Sequence, residues 1–104
     1  ADRGADALDP AVDRFIDVRR AEEFAAAADM LAGAERGDPA QIDQWAGRID
    51  ATRPVVVYCV KGLDIGRSTA LSLKARGLDV RYLDGGIDAW RAAGKPLQPI
   101  GVAS

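Results

Sequence analysis

One residue in this sequence, Cys59, carries a side chain that can act as a strong nucleophile near neutral pH. It is the only cysteine among the 104 residues, and the sequence contains no histidine. These counts exclude a Cys-His dyad, a Ser-His-Asp triad, a metal site containing histidine, a four-cysteine zinc site and an internal CxxC redox pair. Chemistry in this chain must therefore use Cys59, carboxylates, arginine or lysine side chains, or backbone amides.

The segment around Cys59 predicts an anion-binding loop. The apolar run VVVY at 55–58 precedes the cysteine, while Gly62 and Gly66 follow it and lead into a helix-like pattern. Ligands of an open parallel sheet bind at the carboxyl ends of its strands, and glycines let backbone N–H groups turn towards such a ligand. The positive end of the following helix would favour the thiolate and an anion beside it. We therefore expect Cys59 to be the catalytic residue and the substrate anion to be bound by Val60, Lys61, Gly62, Leu63, Asp64, Ile65, Gly66 and Arg67.

Each of these assignments has a structural alternative. A lone cysteine is often a small buried hydrophobic residue, and spacing alone does not separate the two interpretations of Cys59. Lys61 either pairs with an anion or is a solvated loop lysine, and Arg67 either pairs with an anion or forms a surface salt bridge. Asp64 would repel an anionic substrate, so we expect it to face outward and to cap the following helix.

The pattern along the chain alternates between strands and helices. Glycine or proline marks the loops between these elements, including the loops predicted at 33–39 and 59–66. Alternation of this kind is typical of an α/β fold with a largely parallel sheet, and the unbroken apolar run at 55–58 indicates a central strand covered on both faces. Strands are predicted at 14–18, 55–58 and 80–83, and helices at 20–28, 39–49, 68–76 and 87–93.

Composition bounds the size, the partners and the location. A length of 104 residues predicts a single domain over 1–104, in which residues 1–10 form a flexible N-terminal segment. The net charge of −2 and the absence of a basic cluster argue against nucleic acid as a partner, and no apolar run is long enough to span a membrane. A single cysteine favours a reducing, cytoplasmic location, although a periplasmic protein or a piece of a longer one also fits a sequence that starts without Met. No cofactor and no metal are implied.

Three blocks of this sequence resemble the rhodanese-like domain family, and they occur in the order found in that family. The first is similar to the family's opening block, the second to the strand that leads to its active cysteine, and the third to its closing signature. The blocks are FIDVR at 15–19 with EEF at 22–24, VVVYC at 55–59, and GLDVRYLDGG at 77–86 with Trp90 and GKPL at 94–97.

The resemblance implies both a fold and an activity. The fold would be a three-layer α/β sandwich, in which a small, mostly parallel sheet carries helices on both faces. The activity would be that of a sulfurtransferase: Cys59 takes sulfane sulfur from a small sulfur-containing anion such as thiosulfate, holds it as a persulfide and passes it to a protein or small-thiol acceptor. We expect Asp17 and Arg19 of the first block to form a structural ion pair near this site, and a role in substrate binding is the alternative.

The loop departs from the common family pattern and keeps other functions open. Single-domain sulfurtransferases often carry arginine five positions after the cysteine, whereas here Arg67 stands eight positions after Cys59. A slightly longer loop resembles the phosphatase and arsenate-reductase members, yet those carry arginine at the sixth position, where this chain has Ile65. The loop is more similar to that of a rhodanese-like group found with bacterial chromate-resistance proteins. The alternatives are an oxyanion-handling phosphatase or arsenate/chromate-type reductase, and a non-catalytic module that binds an anion or a partner.

Overall fold

Strands and helices alternate along the chain, as the hydrophobic pattern predicts. The computed structural model describes Gly4, Leu8 and residues 13–49, 52, 54–60 and 64–100. Short 3₁₀ turns at Pro39–Gln41 and Ala46–Arg48 flank the second helix. In chain order the elements are β1 (Arg14–Asp17), α1 (Ala21–Ala26), β2 (Asp29–Leu31), β3 (Glu35–Arg36), α2 (Ile42–Trp45), β4 (Val55–Tyr58), α3 (Asp64–Ala75), β5 (Val80–Tyr82), α4 (Gly86–Ala92) and β6 (Leu97–Pro99).

Four parallel strands form the main sheet, in the order β3-β1-β4-β5. Strand β4 lies between β1 and β5, with Val56 opposite Phe15 on one side and opposite Arg81 on the other. All four residues of β4 are buried, which is why this strand is apolar throughout rather than alternating. The predicted α/β fold with a mostly parallel sheet is confirmed, and its central strand is the one that leads to Cys59.

Apolar clusters cover both faces of this sheet. On one face, Trp90 of α4 packs edge-on against Phe15 of β1, with ring centroids 5.2 Å apart. On the other face, Leu73 of α3 packs with Val57 of β4 and with Tyr82 of the edge strand β5. Helices therefore lie on opposite faces of the sheet, which is the layered arrangement expected from the sequence.

Leu8 anchors the chain ahead of β1. Its side chain is 2% exposed within the cluster that contains Trp90, and its carbonyl accepts a hydrogen bond of 2.6 Å from Lys95 Nζ. Leu8 belongs to the N-terminal segment, residues 1–10, whose flexibility stays a prediction. The rest of that segment, apart from Gly4, lies outside the described residues.

Three short strands are missing from the prediction. Strand β2 pairs antiparallel with β6, with Met30 opposite Gln98, and β3 extends the edge of the main sheet beside β1. The predicted helix over 20–28 is therefore too long, since α1 ends at Ala26, and the predicted loop over 33–39 contains β3. Strands of two or three residues are too short to show a period of two, and their pairing depends on partners far away in the sequence.

Helix α3 begins earlier than the sequence predicts. The loop expected over 59–66 is shorter, because the helix begins at Asp64 rather than near Ser68. Asp64 is thus the first residue of the helix instead of the residue before it, and its side chain is not among those described. The helix ends before Gly77, whose φ of +88° is the left-handed conformation that stops a helix. Among the described residues, no helix combines the length and the apolar character needed to cross a membrane.

Candidate active site

The candidate nucleophile stands at the carboxyl end of the central strand. Cys59 directly follows β4, and its side chain is only 3% exposed. Its carbonyl accepts a hydrogen bond of 2.9 Å from the Ile87 N–H, and the Val60 carbonyl accepts one of 3.0 Å from the Asp88 N–H. The first turn of α4 therefore fixes the backbone immediately after the strand, so the position of the thiol is set by two structural elements.

The first turn of α3 lies against the thiol. A Cβ atom placed on Gly66 would stand 3.2 Å from Cys59 Sγ and 2.6 Å from a ring carbon of Tyr82, so only glycine lets the helix approach this closely. The first N–H groups of a helix have no acceptor within the helix, and they carry its positive dipole end. This is the environment in which a thiolate or a bound anion is stabilised. Tyr82 is missed by the sequence prediction, because β5 shows only a short strand pattern and no sign of what its side chains contact.

Replacing Gly66 should disturb the thiol directly. Gly66→Ala gains helix propensity, but its methyl group would overlap the Tyr82 ring and press on Sγ. We expect a net loss of about 1–2 kcal/mol in the free energy of unfolding, together with a lower rate of alkylation or sulfur loading at Cys59. Urea unfolding and the kinetics of thiol labelling measure the two effects.

Gly47→Ala is the matched control for this substitution. A Cβ on Gly47, which also lies in a helical turn, would have no atom within 4 Å. Its free energy of unfolding should stay within about 0.5 kcal/mol of the wild type. Equal behaviour of the two variants would show that close packing at Gly66 does not position the thiol.

A buried hydrogen-bond network holds the residue before the cysteine. The Tyr58 hydroxyl donates to Asp17 Oδ2 over 2.8 Å and accepts from the Leu31 N–H over 3.1 Å. The Asp17 side chain is fully buried, and Tyr58 is also inaccessible to solvent. The end of β4 is thereby tied to β1 and to β2, and Cys59 follows directly from this fixed point.

Arginine supplies the countercharge within the network. Arg19 donates to Asp17 from its backbone N–H, Nε and a terminal nitrogen, the last at 2.6 Å. Burial alone would lower the pKa of Arg19, but the hydrogen bonds and charge of Asp17 outweigh it and raise the pKa above its ordinary value. Arg36 also donates to the Asp17 carbonyl and stacks on Phe24 at 4.3 Å from the ring centroid. The structure thus brings Asp17 and Arg19 together as a buried ion pair, one residue removed from the cysteine through Tyr58.

The network predicts a loss of stability in alkali. Burial raises the pKa of Tyr58 above its ordinary value, and the Asp17 carboxylate adds to the increase. The unfolded chain loses this proton near pH 10 while the folded chain keeps it, so the free energy of unfolding falls as the pH rises above about 10. For one such group, the free energy of unfolding falls by up to about 1.4 kcal/mol per pH unit. Urea unfolding from roughly pH 9 to 11 should show a smaller decline for Tyr58→Phe than for the wild type, and parallel curves would contradict this assignment.

Five of the eight predicted anion-binding residues lie in the described part of the chain, namely Val60, Asp64, Ile65, Gly66 and Arg67. Val60 follows the thiol and is half-buried, and Ile65 and Gly66 lie in the first turn of α3. Lys61, Gly62 and Leu63 lie outside the described residues, so the roles predicted for them stay predictions.

Arg67 occupies a place that the sequence does not predict. Its guanidinium carbon stands 5.4 Å from the centroid of the Tyr82 ring, which is a cation–π distance. With Lys74 and Leu71 it lines a cavity of about 220 Å³ on the α3–β5 side of the molecule. The anion-binding role expected for Arg67 remains a prediction, and its observed contact is with the residue that packs beside Gly66.

Metal chemistry finds no support in the described part of the chain. No three cysteine, aspartate or glutamate side chains in these ranges are grouped so that they could hold a metal ion. The arrangement around Cys59 can support nucleophilic attack by sulfur, with backbone N–H groups of α3 beside the thiol.

Comparison with known proteins identifies the family. The family model described as "Rhodanese-like domain" matches residues 2–93. A rhodanese-related protein from Thermoplasma volcanium superposes with a TM-score of 0.82 at 19% identity, covering 93% of this chain and 96% of the other. The rhodanese-like domain of an Anabaena sp. protein gives 0.79 at 21% identity, with coverages of 99% and 86%. A thiosulfate sulfurtransferase from Pseudomonas aeruginosa gives 0.76 at 26% identity over 93% of this chain, which spans 19% of that protein. The chain belongs to the rhodanese-like domain family.

Proposed function

We propose that the chain is a sulfurtransferase that carries sulfane sulfur as a persulfide on Cys59. The observation that carries the proposal is the contact between the thiol and the first turn of α3, at the carboxyl end of the central strand. A sulfur nucleophile in this place has backbone N–H groups of a helix terminus beside it, and these stabilise negative charge on sulfur. Histidine and metal are not required for such a reaction.

The first half-reaction loads the cysteine. The Cys59 thiolate attacks the outer sulfur of thiosulfate, a new S–S bond forms at Sγ, and the S–S bond within thiosulfate breaks. Sulfite leaves with the electron pair of the broken bond, and the Cys59 persulfide anion remains. Total charge is unchanged, and no external oxidant or reductant takes part. The N–H groups of Ile65 and Gly66 lie in the turn that would face the charge on the outer sulfur.

The second half-reaction returns the free thiolate. A thiophilic acceptor such as cyanide attacks the outer sulfur of the persulfide, the S–S bond to Sγ breaks, and Cys59 leaves as thiolate while thiocyanate is released. The buried position of Cys59 keeps water from the persulfide, which protects a reactive intermediate.

Two further findings favour this activity over the alternatives. The Pseudomonas aeruginosa structure with which this chain shares 26% identity is described as a thiosulfate sulfurtransferase, which supports thiosulfate as the donor class. The phosphatase and arsenate-reductase members carry arginine six positions after the cysteine, and this chain has the uncharged Ile65 there. The absence of that cation disfavours an oxyanion pocket of the phosphatase or arsenate/chromate-reductase kind.

The test is a pair of parallel assays on the purified chain. Thiosulfate-to-cyanide transfer should proceed with thiocyanate formed in proportion to protein, while a phosphoester such as p-nitrophenyl phosphate should not be hydrolysed. Hydrolysis without sulfur transfer would replace the proposal by a phosphatase function. Absence of both activities would favour a non-catalytic module that binds an anion or a partner.

A further inference from the structure

A second cleft lies at the same edge of the sheet as Cys59. It has a volume of about 350 Å³, and its walls come from three connections that follow neighbouring strands. Arg20 follows β1, Asp38 follows β3, and Ile65 follows β4 in the first turn of α3. The carboxyl ends of parallel strands meet at one edge, so the cleft and the thiol share that edge. Ile65 also adjoins Gly66, the residue that contacts Cys59 Sγ.

Part of the lining of this cleft is apolar. Its apolar lining consists of Ala21, Pro39, Ala40 and Ile65, none of which carries a polar side-chain atom. Such a surface fits a short aliphatic chain. Its volume is at the lower end of the range found for small-molecule sites.

The rim of the cleft carries more negative than positive charge. Glu22 and Asp38 supply two carboxylates, and Arg20 supplies one cation. Asp38 Oδ1 already accepts a hydrogen bond of 2.9 Å from the Ala40 N–H, whereas Glu22 forms no ion pair with another described residue. A small anion such as sulfite would meet net repulsion here, while an amino group would be attracted to Glu22.

We infer that this cleft binds the sulfur acceptor and that the acceptor is an organic aminothiol: a thiol with a short aliphatic body and a positively charged amino group. This inference rests on the proposed function, because it names the acceptor class for the same persulfide. The aliphatic part lies against Ala40 and Ile65, and the ammonium group pairs with Glu22. Selectivity then comes from the cleft, while the chemistry remains on Cys59.

The transfer step balances without a further reactant. The acceptor thiol gives its proton to the outer sulfur of the Cys59 persulfide anion. The resulting thiolate then attacks that sulfur, forming one S–S bond as the S–S bond to Sγ breaks. The proton stays on the transferred sulfur. The products are the acceptor persulfide and the Cys59 thiolate.

The test uses three two-carbon thiols that differ in charge: cysteamine, 2-mercaptoethanol and mercaptoacetate. Cys59 is first loaded with thiosulfate, and the loss of the added sulfur is followed by intact-mass spectrometry after mixing with each thiol. Glu22→Gln should lower the rate constant for cysteamine about 2- to 5-fold and leave that for 2-mercaptoethanol unchanged, as expected for one exposed ion pair. Each thiol is compared between wild type and variant, so differences in intrinsic nucleophilicity cancel.

Two variants control this experiment. Asp79→Asn removes one carboxylate where β5 begins, at the opposite edge of the sheet, and should change none of the three rate constants. Ala40→Phe fills the apolar part of the cleft, and should slow transfer to all three thiols. Circular dichroism checks that each variant is folded.

The outcomes separate this inference from the proposed function. If the persulfide forms but Glu22→Gln slows the three thiols equally, or slows none, the assignment of the cleft to aminothiols is wrong and the sulfurtransferase proposal stands. If thiosulfate does not load Cys59, both are overturned. A decrease in the rate constant of Glu22→Gln that is confined to cysteamine supports the inference.

Discussion

Cys59→Ser should lower thiosulfate-to-cyanide sulfur transfer by roughly 10⁴-fold or more, because the reaction passes through a bond to Sγ. A serine hydroxyl is a weak nucleophile unless a base activates it, and this sequence has no histidine to act as that base. Both half-reactions should fail together, since neither the persulfide nor the returning thiolate can form. Continuous detection of thiocyanate measures the loss.

The fold should survive this substitution. Sγ and a serine oxygen occupy similar positions, and Cys59 is held by backbone hydrogen bonds to α4 that do not involve its side chain. Ser72→Ala is a suitable control, because Ser72 is exposed on α3 and its substitution removes an oxygen atom away from the thiol. Circular dichroism should be the same for all three proteins. Activity of Cys59→Ser within tenfold of the wild type would show that another group carries the sulfur.

Asp17→Ala should produce the largest loss of stability among the substitutions considered. The carboxylate is fully buried, and Arg19, itself only 3% exposed, would be left as a buried charge without its partner. Removal of one partner from a buried ion pair costs about 3–5 kcal/mol, a large share of the free energy of unfolding of a domain of this size. The Tyr58 hydroxyl would lose its acceptor as well. We expect the Tm to fall by roughly 12 °C or more.

Glu35→Ala is the comparison for this prediction. Glu35 forms an ion pair with Arg14 over 3.1 Å, but its side chain is 61% exposed. Water screens such a pair, so its loss should cost about 1 kcal/mol or less. Thermal and urea unfolding of both variants measure the difference. Similar losses in the free energy of unfolding for Asp17→Ala and Glu35→Ala would contradict the prediction that the buried ion pair stabilises the fold more than the exposed one.

The sequence predicts the central part of the molecule well because the signal there is local. The apolar run at 55–58 requires burial on both faces, and the alternation of strands with helices requires a parallel sheet. Both follow from neighbouring residues without knowledge of the rest of the chain. The position of Cys59 at the carboxyl end of β4 follows from the same pattern.

The remaining features depend on contacts that are distant in sequence. Gly66 suggests a loop when only its neighbours in sequence are considered, yet it lies within helix α3. A glycine is needed at this position because Tyr82 and Cys59 Sγ occupy the space that a side chain would fill. Arg67 likewise stacks on Tyr82, a contact that no local motif shows. Strand β2 exists because β6 pairs with it from the other end of the chain. The cleft lined by Glu22, Ala40 and Ile65 arises from three separate connections, so only the folded arrangement brings it together.

The most direct measurement is the mass of the protein after incubation with thiosulfate and removal of excess reagent. We expect a gain equal to the mass of one sulfur atom, assigned by peptide fragmentation to Cys59, released by cyanide and absent from Cys59→Ser. A protein that gains no mass under these conditions, or that gains it equally when Cys59 is serine, would contradict the persulfide function.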